Sequence, residues 1–547
     1  MPPTLTYPGV YIEELPSGVH TITGVATSIA AFVGWAAQGP TNKATLIQSW
    51  SDFADRFGGL DSRSLLGYAV NSFFANGGQQ THIVRLASSG SSGDTAAASA
   101  TVEITGITFD SSTSPSTVVI TTGSPGGLTL TAANPGAWGD NYNIQIQPRS
   151  DDYTRFSLSV VYTNPTTQKQ AVVESFPNLS LSPTDTQGRY AVNIVNEQSA
   201  YITAAMGTPA LTITNTPGVP TAPTPSTTAS VGLGASTSGA DGTVLTPSTD
   251  PATPGPFETA LNADGNGTGG VHLLDTVPIF NLLCVPGEIV RATISNLQAY
   301  CVGERAFMIV DCQSTDTFAT LQNGPAGITG VNSTNAAFYF PWVNQFDPGL
   351  RMTRAFPPCG FVAGLYAATD ASRGVWKAPA GIDASLSGES GLTTVLTDLQ
   401  NGTLNIQAIN CLRTFPVYGD VIWGARTLRG NDQVGSEWKY VPIRRLALYL
   451  ESSLYNGTQW VVFEPNDEKL WSQIRLNVGA FMQDLFLKGA FQGTTPQQAY
   501  FVKCDGENNP QSSINQGIVK VRVGFAPLFP AEFVVIEIQQ MAGQTQT

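Results

Sequence analysis

Apolar strands alternate with helices in two separate stretches of this chain, and this pattern constrains the fold more than any other feature. The first stretch has predicted strands at Ile29–Gly34 and His82–Leu86, with two helices between them. The second has apolar strands at Ile279–Val285, Phe307–Asp311 and Ala336–Val343. We expect the second set to complete the sheet begun at Ile29, which makes the α/β core discontinuous in sequence.

The helices of both stretches have clear boundaries. One covers Trp50–Phe57 and is closed by two glycines, and another is expected from about Ile289 to Cys301. A third helix stops at Gly77, and its apolar face follows i, i+3, i+4 spacing. The residues on that face are Leu65, Tyr68, Ala69 and Phe73.

The region between the two α/β stretches has a different composition. Residues 89–206 are rich in Ser, Gly and Thr and contain strand-like segments such as Tyr142–Gln147 and Phe156–Tyr162, which predicts an inserted, mostly β domain. Residues 207–256 are dominated by Pro, Thr, Ser, Gly and Ala, with almost no charge. We interpret them as a linker or surface loop.

The remaining chain divides into a helical region and two terminal arms. Residues 401–513 are predicted as an α+β domain with two long helices, one through Leu446 and Leu450 and one through Ile474 and Leu485. The predicted domains are an arm over 1–22, a core over 23–88 with 257–400, and a carboxyl-terminal arm over 514–547. That last arm is expected to hold strands Ile518–Gly524 and Phe533–Gln539.

Composition excludes several functions. The net charge of −14 and pI near 4.6 argue against binding nucleic acid through its phosphates. No apolar run approaches the roughly 18 residues that span a bilayer, and the first residues lack the pattern of a secretory signal. The six cysteines form no CxxC pair, so we expect reduced, partly buried thiols. The chain is therefore expected to fold and assemble in a cytoplasm.

Signals for catalysis are weak. The chain has no phosphate-loop, HExxH or G-x-S-x-G motif, and its three histidines, His20, His82 and His272, lie in unrelated segments. Residues 262–267 resemble a calcium loop but lack its closing Glu. Asp311 and Asp370 could serve in acid–base chemistry, although capping or ion pairing is the more common role. We expect no metal or cofactor.

Arg444 and Arg445 lie side by side at the start of a predicted helix. Such a pair either forms salt bridges to nearby carboxylates or contacts a partner protein, and both alternatives are open.

A set of motifs resembles the tail sheath proteins of contractile phages. It includes TYPGVYIEEL (6–15), TSIAAFVGWAAQGP (27–40), FFANGGQQTHIVRL (73–86), FYFPWV (338–343), PPCGFVAGLYAATDASRGVWKAPA (357–380), VIWGARTL (421–428), WKYVPIRRL (438–446), FEPND (463–467) and APLFPAEFVVIEIQQ (526–540). The motifs cover both ends and most of 257–540, and the resemblance is weakest over 88–256. Their combination in one chain is far more specific than any single motif.

The resemblance implies a structural, non-enzymatic subunit of a virion tail. Sheath subunits form stacked rings of six around a tail tube and contract from a metastable extended state. Their core resembles a subtilisin-like scaffold without its activity, and terminal arms add strands to neighbouring subunits. Expected partners are further copies of the chain, the tail tube protein, and baseplate and tail terminator proteins. Nucleic acid and membrane insertion are not expected.

Two alternatives stay open. The chain could be the sheath of an extracellular or membrane-anchored contractile injection system or of an R-type bacteriocin. It could also be a hydrolase on a subtilisin-like scaffold.

Three groups of residues are candidates for contacts. The inter-subunit arm residues are Val10, Tyr11, Ile12, Phe533, Val534, Val535, Ile536 and Ile538. The candidate tube contacts are Lys469, Arg475, Asp484 and Lys488, on the helix around Asp467–Lys488. Scaffold or interface roles are expected for Arg373, Trp376, Trp423, Arg426 and Phe463, with the aromatic residues packing and the arginines forming buried or interfacial ion pairs.

Overall fold

The amino-terminal elements form one half of a central sheet. The computed structural model describes residues 20–90, 94–110, 117–149, 152, 154–211, 213–215, 228–262 and 269–538. Its first elements are β1 (Ala30–Trp35), β2 (Thr45–Ile47), α1 (Trp50–Phe57), α2 (Leu66–Ala75) and β3 (Thr81–Leu86). Ser49 caps α1 by accepting the backbone N–H of Asp52, and Gly58 ends this helix in the left-handed conformation. The predicted strands and helices of this stretch are confirmed.

The middle of the chain forms two antiparallel-rich sheets around one core. The elements are β4 (Thr101–Asp110), β5 (Thr117–Thr122), β6 (Leu128–Ala132), β7 (Tyr142–Pro148), β8 (Arg155–Thr163), β9 (Gln170–Ser180), α3 (Ala191–Gln198), β10 (Ile202–Met206), β11 (Ile213–Asn215) and β12 (Ala229–Gly232). One sheet has the order β10-β6-β4-β11, with β5 also paired to β4, and the other has the order β12-β7-β8-β9. Alternate residues of their strands, such as Ile144, Ile146 and Leu158, meet in a shared apolar core.

The α/β pattern then resumes. Its elements are α4 (Pro256–Leu261), β13 (Leu282–Cys284), α5 (Arg291–Gly303), β14 (Phe307–Asp311), α6 (Phe318–Leu321), β15 (Ala336–Phe340), β16 (Val343–Asp347), β17 (Met352–Phe356), α7 (Cys359–Arg373), α8 (Asp398–Ile406), β18 (Ile409–Phe415) and β19 (Gly419–Ile422). The predicted strand Phe307–Asp311 is β14. The predicted helix Ile289–Cys301 corresponds to α5.

One eight-stranded sheet joins the two α/β stretches, in the order β19-β18-β15-β14-β13-β1-β3-β2. Strand β1 pairs in parallel with β13, and Ala30 is opposite Leu282. Along β1, Ala30 and Phe32 belong to one core and Ala31 and Val33 to the other. Every residue of β1 is buried because helices α2 and α7 cover one face of the sheet while α4 and α5 cover the other.

The carboxyl-terminal region is mainly helical. It contains α9 (Val441–Gly457), α10 (Glu468–Leu487), α11 (Pro496–Ala499), β20 (Tyr500–Lys503), α12 (Gln511–Asn515) and β21 (Arg522–Phe525). Asp467 caps α10 by accepting the N–H of Leu470. The antiparallel pair β20–β21 packs on α10 through an apolar core. Both long helices predicted for this region are confirmed.

A buried ion pair ties α9 to α7. The Arg445 guanidinium donates to both carboxylate oxygens of Asp370, at 2.9 and 2.6 Å, and both side chains are 3% exposed. Arg444 instead donates to Asn335 and pairs with Glu451 at 3.1 Å. Both arginines therefore have partners within the chain, as the salt-bridge interpretation expects.

Four features differ from the sequence-based expectations. The predicted strand Ile518–Gly524 begins only at Arg522, as β21. The predicted linker 207–256 contributes strands β11 and β12, which pair with β4 and β7. This pairing uses backbone N–H and C=O groups, so it does not require apolar side chains. The central sheet continues beyond the predicted core boundary at residue 400, to Ile422. The predicted strand Phe533–Gln539 is absent over 533–538, since no described segment pairs with it. The overall division into domains stays a prediction.

Candidate functional site

The segment after β21 is fastened to the body of the protein at two places. The backbone N–H of Ala526 donates to Ala499, and the carbonyl of Ala526 accepts from Gln492. Further along, the carboxylate of Glu532 is held by Arg426, with Nε–Oε1 at 2.6 Å and Nη2–Oε2 at 2.7 Å. Tyr440 donates its hydroxyl to the same carboxylate at 3.0 Å. We call this contact of Glu532 with Arg426 and Tyr440 the anchor.

Arg426 is positioned by several elements before it meets Glu532. Its side chain is fully buried, and Nη1 donates to the carbonyls of Asn405 and Gly430 and to the carboxylate of Asp432. Lys439 lies 2.7 Å from the same Asp432 carboxylate. The guanidinium is therefore fixed by α8 and by the loop between β19 and α9, so Glu532 meets a preorganised bidentate donor.

The electrostatics keep the anchor ionised. Burial alone would raise the pKa of Glu532, but the hydrogen bonds and charge of Arg426, helped by Tyr440, outweigh burial and hold this pKa below its usual value. Donation from Lys439 likewise lowers the pKa of Asp432. At neutral pH the anchor is thus a charged, hydrogen-bonded pair.

Beyond the anchor the chain presents an apolar strip to solvent. The side chains of Phe533, Val534, Val535, Ile536 and Ile538 are 76–91% exposed. Within the described residues, no backbone hydrogen bond of 533–538 to another segment is found. We call residues 533–538 the arm. A run of β-branched and aromatic residues with open backbone groups is the form of an unpaired strand.

The small β20–β21 sheet also has open edges. In the part of the chain that the structure describes, β20 and β21 pair only with each other. Tyr500 and Phe525 on these strands pack into the apolar core of the carboxyl-terminal region. The sheet is fixed to the body on one face, and its two strands have no third strand beside them among the described residues.

A groove of about 1000 Å³ lies beside the anchor and collects several residues predicted from the sequence. Arg373, Trp376 and Trp423 all line it, together with Phe533 at the start of the arm. Trp423 is 37% exposed and its ring lies 4.6 Å from that of Phe415. These residues form a surface around the emerging arm, whereas Trp376 also packs against the helical core.

Two of the expected scaffold roles take a different form. Phe463 is 102% exposed, so the prediction that its ring packs inside the chain is wrong for the single subunit. Its backbone lies in the left-handed region, with φ 70°, at the turn before α10. Arg373 is 61% exposed and lies 3.9 Å from the exposed Asp383, so it forms no buried ion pair with the described residues. Interface roles for both residues stay predictions.

The residues predicted to contact a tube are distributed along α10. Lys469 is exposed, and its side chain forms no hydrogen bond or ion pair with the described residues. Arg475 turns inward, donating to the carbonyl of Cys504 and pairing with Glu468 at 2.6 Å. Lys488 and Asp484 pair with each other at 2.7 Å, and both remain more than half exposed. The Arg475 side chain is therefore already engaged in contacts within its own chain.

The described residues contain no arrangement typical of catalysis. His20 stacks on Trp460, His82 lies on β3, and His272 pairs with Asp275. The described residues contain no cluster of three or more metal-binding side chains. Asp311 accepts the N–H groups of Gly287 and Cys359, which is a capping role at the start of α7. All six cysteines are free and buried, as expected.

Some predicted positions fall outside the described residues. The amino-terminal arm residues Val10, Tyr11 and Ile12 do so, and so does most of the calcium-like loop at 262–267. Among the described helices, none combines the length and apolarity that crossing a membrane requires.

Sequence reasoning missed the partners that form the anchor. Glu532, Tyr440 and Asp432 were not among the candidate residues. A signal was present for Glu532, the only charged residue between Arg522 and Glu537 and part of the PAEF motif. An acidic residue in such an apolar segment requires a partner when it is buried.

Comparison with known proteins identifies two family domains. The model of the phage tail sheath protein central domain matches residues 278–428, and that of the phage tail sheath C-terminal domain matches residues 433–541. A putative prophage major tail sheath protein of Pseudomonas aeruginosa is 27% identical over 283 residues, covering 50% of this chain and 69% of that protein. A tail sheath protein of Vibrio phage KVP40 is 26% identical, covering 42% of this chain and 35% of that protein.

Solved structures share the fold at low sequence identity. The helical sheath of the anti-feeding prophage in the contracted state is 21% identical, with a TM-score of 0.56, covering 98% of this chain and 100% of that chain. The contracted sheath complex of the extracellular contractile injection system PVC has a TM-score of 0.55 at 21% identity and 98% coverage of both chains. A sheath tail protein from Listeria innocua has a TM-score of 0.56 at 11% identity, covering 92% of this chain and 96% of that chain.

Proposed function

Because the chain belongs to the contractile tail sheath family, whose members are structural proteins and not enzymes, we propose that it is the subunit of a contractile tail sheath. Copies polymerise as stacked hexameric rings around a tail tube. The assembly contracts from a metastable extended state and drives the tube through the envelope of the target cell.

The observation that carries this proposal is the arm. It projects five large apolar side chains into solvent immediately after a charged anchor. A monomer gains nothing from such a segment, whereas a polymer gains a strand for each neighbour. At about 1 kcal/mol net per backbone hydrogen bond, a strand of this length contributes about 5 kcal/mol before the cost of ordering.

The β20–β21 edges supply a matching acceptor. A strand added there would hydrogen-bond along an open edge while its alternate side chains face the apolar core beneath. We assign this acceptor to the arm of a neighbouring subunit, and we assign the amino-terminal residues Val10, Tyr11 and Ile12 to the same kind of exchange.

Contraction is then a two-state change of a linked polymer. The bodies rotate while the strand links persist, with the Gly- and Pro-containing junctions 16–18 and 524–530 acting as hinges. The anchor immediately precedes the arm in the chain, so it fixes the point at which the strand donated to a neighbouring subunit begins. Since the chain has no nucleotide-binding motif, the energy is stored in the extended assembly.

The partners follow from this arrangement. We propose self-association, with baseplate and tail terminator proteins at the ends of the sheath and the tail tube protein inside it, facing α10. The covered central sheet serves as a subtilisin-like scaffold without catalysis. The location is the virion tail, assembled in the cytoplasm of the bacterial host.

A sheath of a contractile injection system is the second candidate. The anti-feeding prophage and PVC sheaths match the fold over 98% of this chain. The relatives in sequence are instead phage or prophage proteins. Genes for a capsid next to this one would favour the phage tail, and their absence would favour the injection system.

Deletion of residues 533–547 tests the proposal. This cut removes the arm but retains Glu532, so we expect a folded monomer that forms no tubes by electron microscopy. Deleting residues 1–15 should have the same effect. As a control, Val331→Asp changes an isolated apolar residue that is 79% exposed and should leave tubes intact. Tubes of normal length from either deletion variant would contradict the strand-exchange proposal.

A further inference from the structure

The chain returns from the inserted β region to the central sheet through residues 245–262, which we call the return segment. Leu245 and Phe257 bury their side chains in the core that covers one face of the sheet. Two carboxyl groups lie where this segment meets the loop after β13. Glu258 on α4 is 0% exposed and Glu288 in the loop is 1% exposed.

Hydrogen-bond donors distinguish the two carboxyl groups. In Glu258, Oε1 accepts the backbone N–H of Ser248 at 2.7 Å and Oε2 accepts that of Gly255 at 2.5 Å. In Glu288, Oε1 accepts the N–H of Val290 at 2.6 Å. Among the described residues, Oε2 of Glu288 receives no donor although it is buried.

The side chains of Glu258 and Glu288 lie within hydrogen-bonding reach of each other, and the charge of Glu258 acts on Glu288. Ionised carboxylates only accept hydrogen bonds, so this contact requires a proton on one of them. Both oxygens of Glu258 already accept backbone N–H groups. The proton therefore belongs on Oε2 of Glu288, which can donate it to Glu258.

Among the described residues, neither Glu258 nor Glu288 forms an ion pair with a cation that could replace that proton. The charged groups that border the site are Asp250 in the return segment, Arg291 at the start of α5, and Asp311 at the end of β14. The charge of Arg291 acts on Asp250, and Asp311 is bound to the N–H groups of Gly287 and Cys359. Glu258 is the charged side chain that contributes most to the raised pKa of Glu288.

We propose that Glu258 and Glu288 share a single proton, and that this carboxyl pair is a pH-sensitive latch holding the return segment to the central sheet. Glu258 binds the backbone N–H groups of Ser248 and Gly255 in the return segment, and Glu288 binds that of Val290 in the loop after β13. The hydrogen bond between the two side chains links these groups. A cavity of about 300 Å³, lined by Ser248, Phe257 and Gly287, lies where the return segment meets the loop after β13.

The direction of the pH dependence follows from the pKa of Glu288. Burial, and then the charge of Glu258, raise this pKa from 4.5 to about 8. A carboxyl with a raised pKa stabilises the closed state fully below 4.5 and loses this contribution as pH rises towards 8. Opening of the return segment should therefore increase about tenfold per pH unit over this window.

Glu288→Gln in the full chain tests the latch. The Gln amide can donate to Glu258 permanently while its oxygen still accepts from Val290. We expect hydrogen exchange of residues 246–256, corrected for intrinsic rates, to accelerate between pH 5 and pH 8 in the wild type and to become independent of pH in this variant. The infrared band of a protonated carboxyl at pH 7 should be lost in this variant.

Glu258→Gln tests the other side of the carboxyl pair. Glu258→Gln places an amide where two backbone N–H groups need acceptors, so we expect faster exchange of residues 246–256 at every pH. Glu464→Gln removes an exposed carboxyl and should change neither readout. Retention of the infrared band in Glu288→Gln would overturn the proposal. Hydrogen exchange in Glu288→Gln as fast as that in Glu258→Gln at pH 7 would also overturn the proposal.

Discussion

The Asp370–Arg445 pair and the Glu532–Arg426 anchor have the same bidentate chemistry but lie in different regions of the molecule. The first joins α7 to α9, and both of its side chains are 3% exposed. In the second, Arg426 is fully buried but Glu532 is 17% exposed and belongs to a segment that continues into solvent. One pair connects two parts of the body, whereas the other fixes the point at which the arm leaves it.

This difference separates stability from assembly. Removing one partner of a fully buried pair leaves a charge without compensation. Removing one partner of the anchor allows Glu532 to reach water by releasing the segment. We therefore expect the first pair to affect folding and the second to affect polymerisation.

The largest effect should come from Arg445→Ala. It leaves Asp370 buried without its partner and removes the contact of Arg445 with the Tyr366 ring. We expect a loss of about 3–5 kcal/mol in the free energy of unfolding, measured by denaturant titration. Arg373→Ala removes an exposed pair and should cost less than about 1 kcal/mol. Equal losses in the two variants would contradict the comparison.

The next effect concerns the anchor. Arg426→Ala should give a folded monomer whose residues 526–538 are cut more rapidly by protease and which forms no tubes by electron microscopy. Glu532→Ala releases the segment while Arg426 keeps Asp432, and it should show the same loss of tubes with less effect on folding. If Arg426→Ala polymerises and contracts normally, the anchor has no role in assembly.

A smaller effect is expected from acid. The pKa of Glu532 lies below its usual value, so the contribution of the anchor is complete above about pH 4.5 and is lost as pH falls through the lowered pKa. Tubes measured by sedimentation should persist to below pH 4.5. In Glu532→Gln, any tubes that form should lack this acid-dependent step. Release of the arm already at pH 6 would contradict the assignment.

Charge reversal on α10 should have the smallest effect. Lys469→Glu changes an exposed charge without a partner in the described chain, whereas Lys488→Glu also repels Asp484. We expect each to weaken co-sedimentation with the tail tube protein by about twofold to fivefold at low salt. High salt should reduce the difference from the wild type. Unchanged binding would count against α10 as the tube-facing surface.

Most of the elements could be predicted because their patterns are local. The apolar run of β1 and the periodic faces of α2 and α10 depend on neighbouring residues only. The corrections lie where pairing is distant. Strand β12 was predicted as linker because Ala229–Gly232 has little apolar character. Its backbone nevertheless hydrogen-bonds to β7, and such pairing does not require apolar side chains.

The site residues show the same division. The sequence marked Arg426 and the apolar residues of the arm, and the motif set indicated the family. It did not indicate that Glu532 meets Arg426 across 106 positions, or that Arg475 turns inward to Cys504. Side-chain partners at such separations depend on how whole elements pack.

The sequence by itself indicated the family through its set of motifs. It also determined the α/β core and the apolar character of the arm, because composition and periodicity record local burial. Only the tertiary structure decided which arginine fixes the arm, that Phe463 is exposed, and that Glu258 and Glu288 are in contact. These outcomes arise from distances between segments that are remote in the chain, and burial then sets the charge state of the groups that meet.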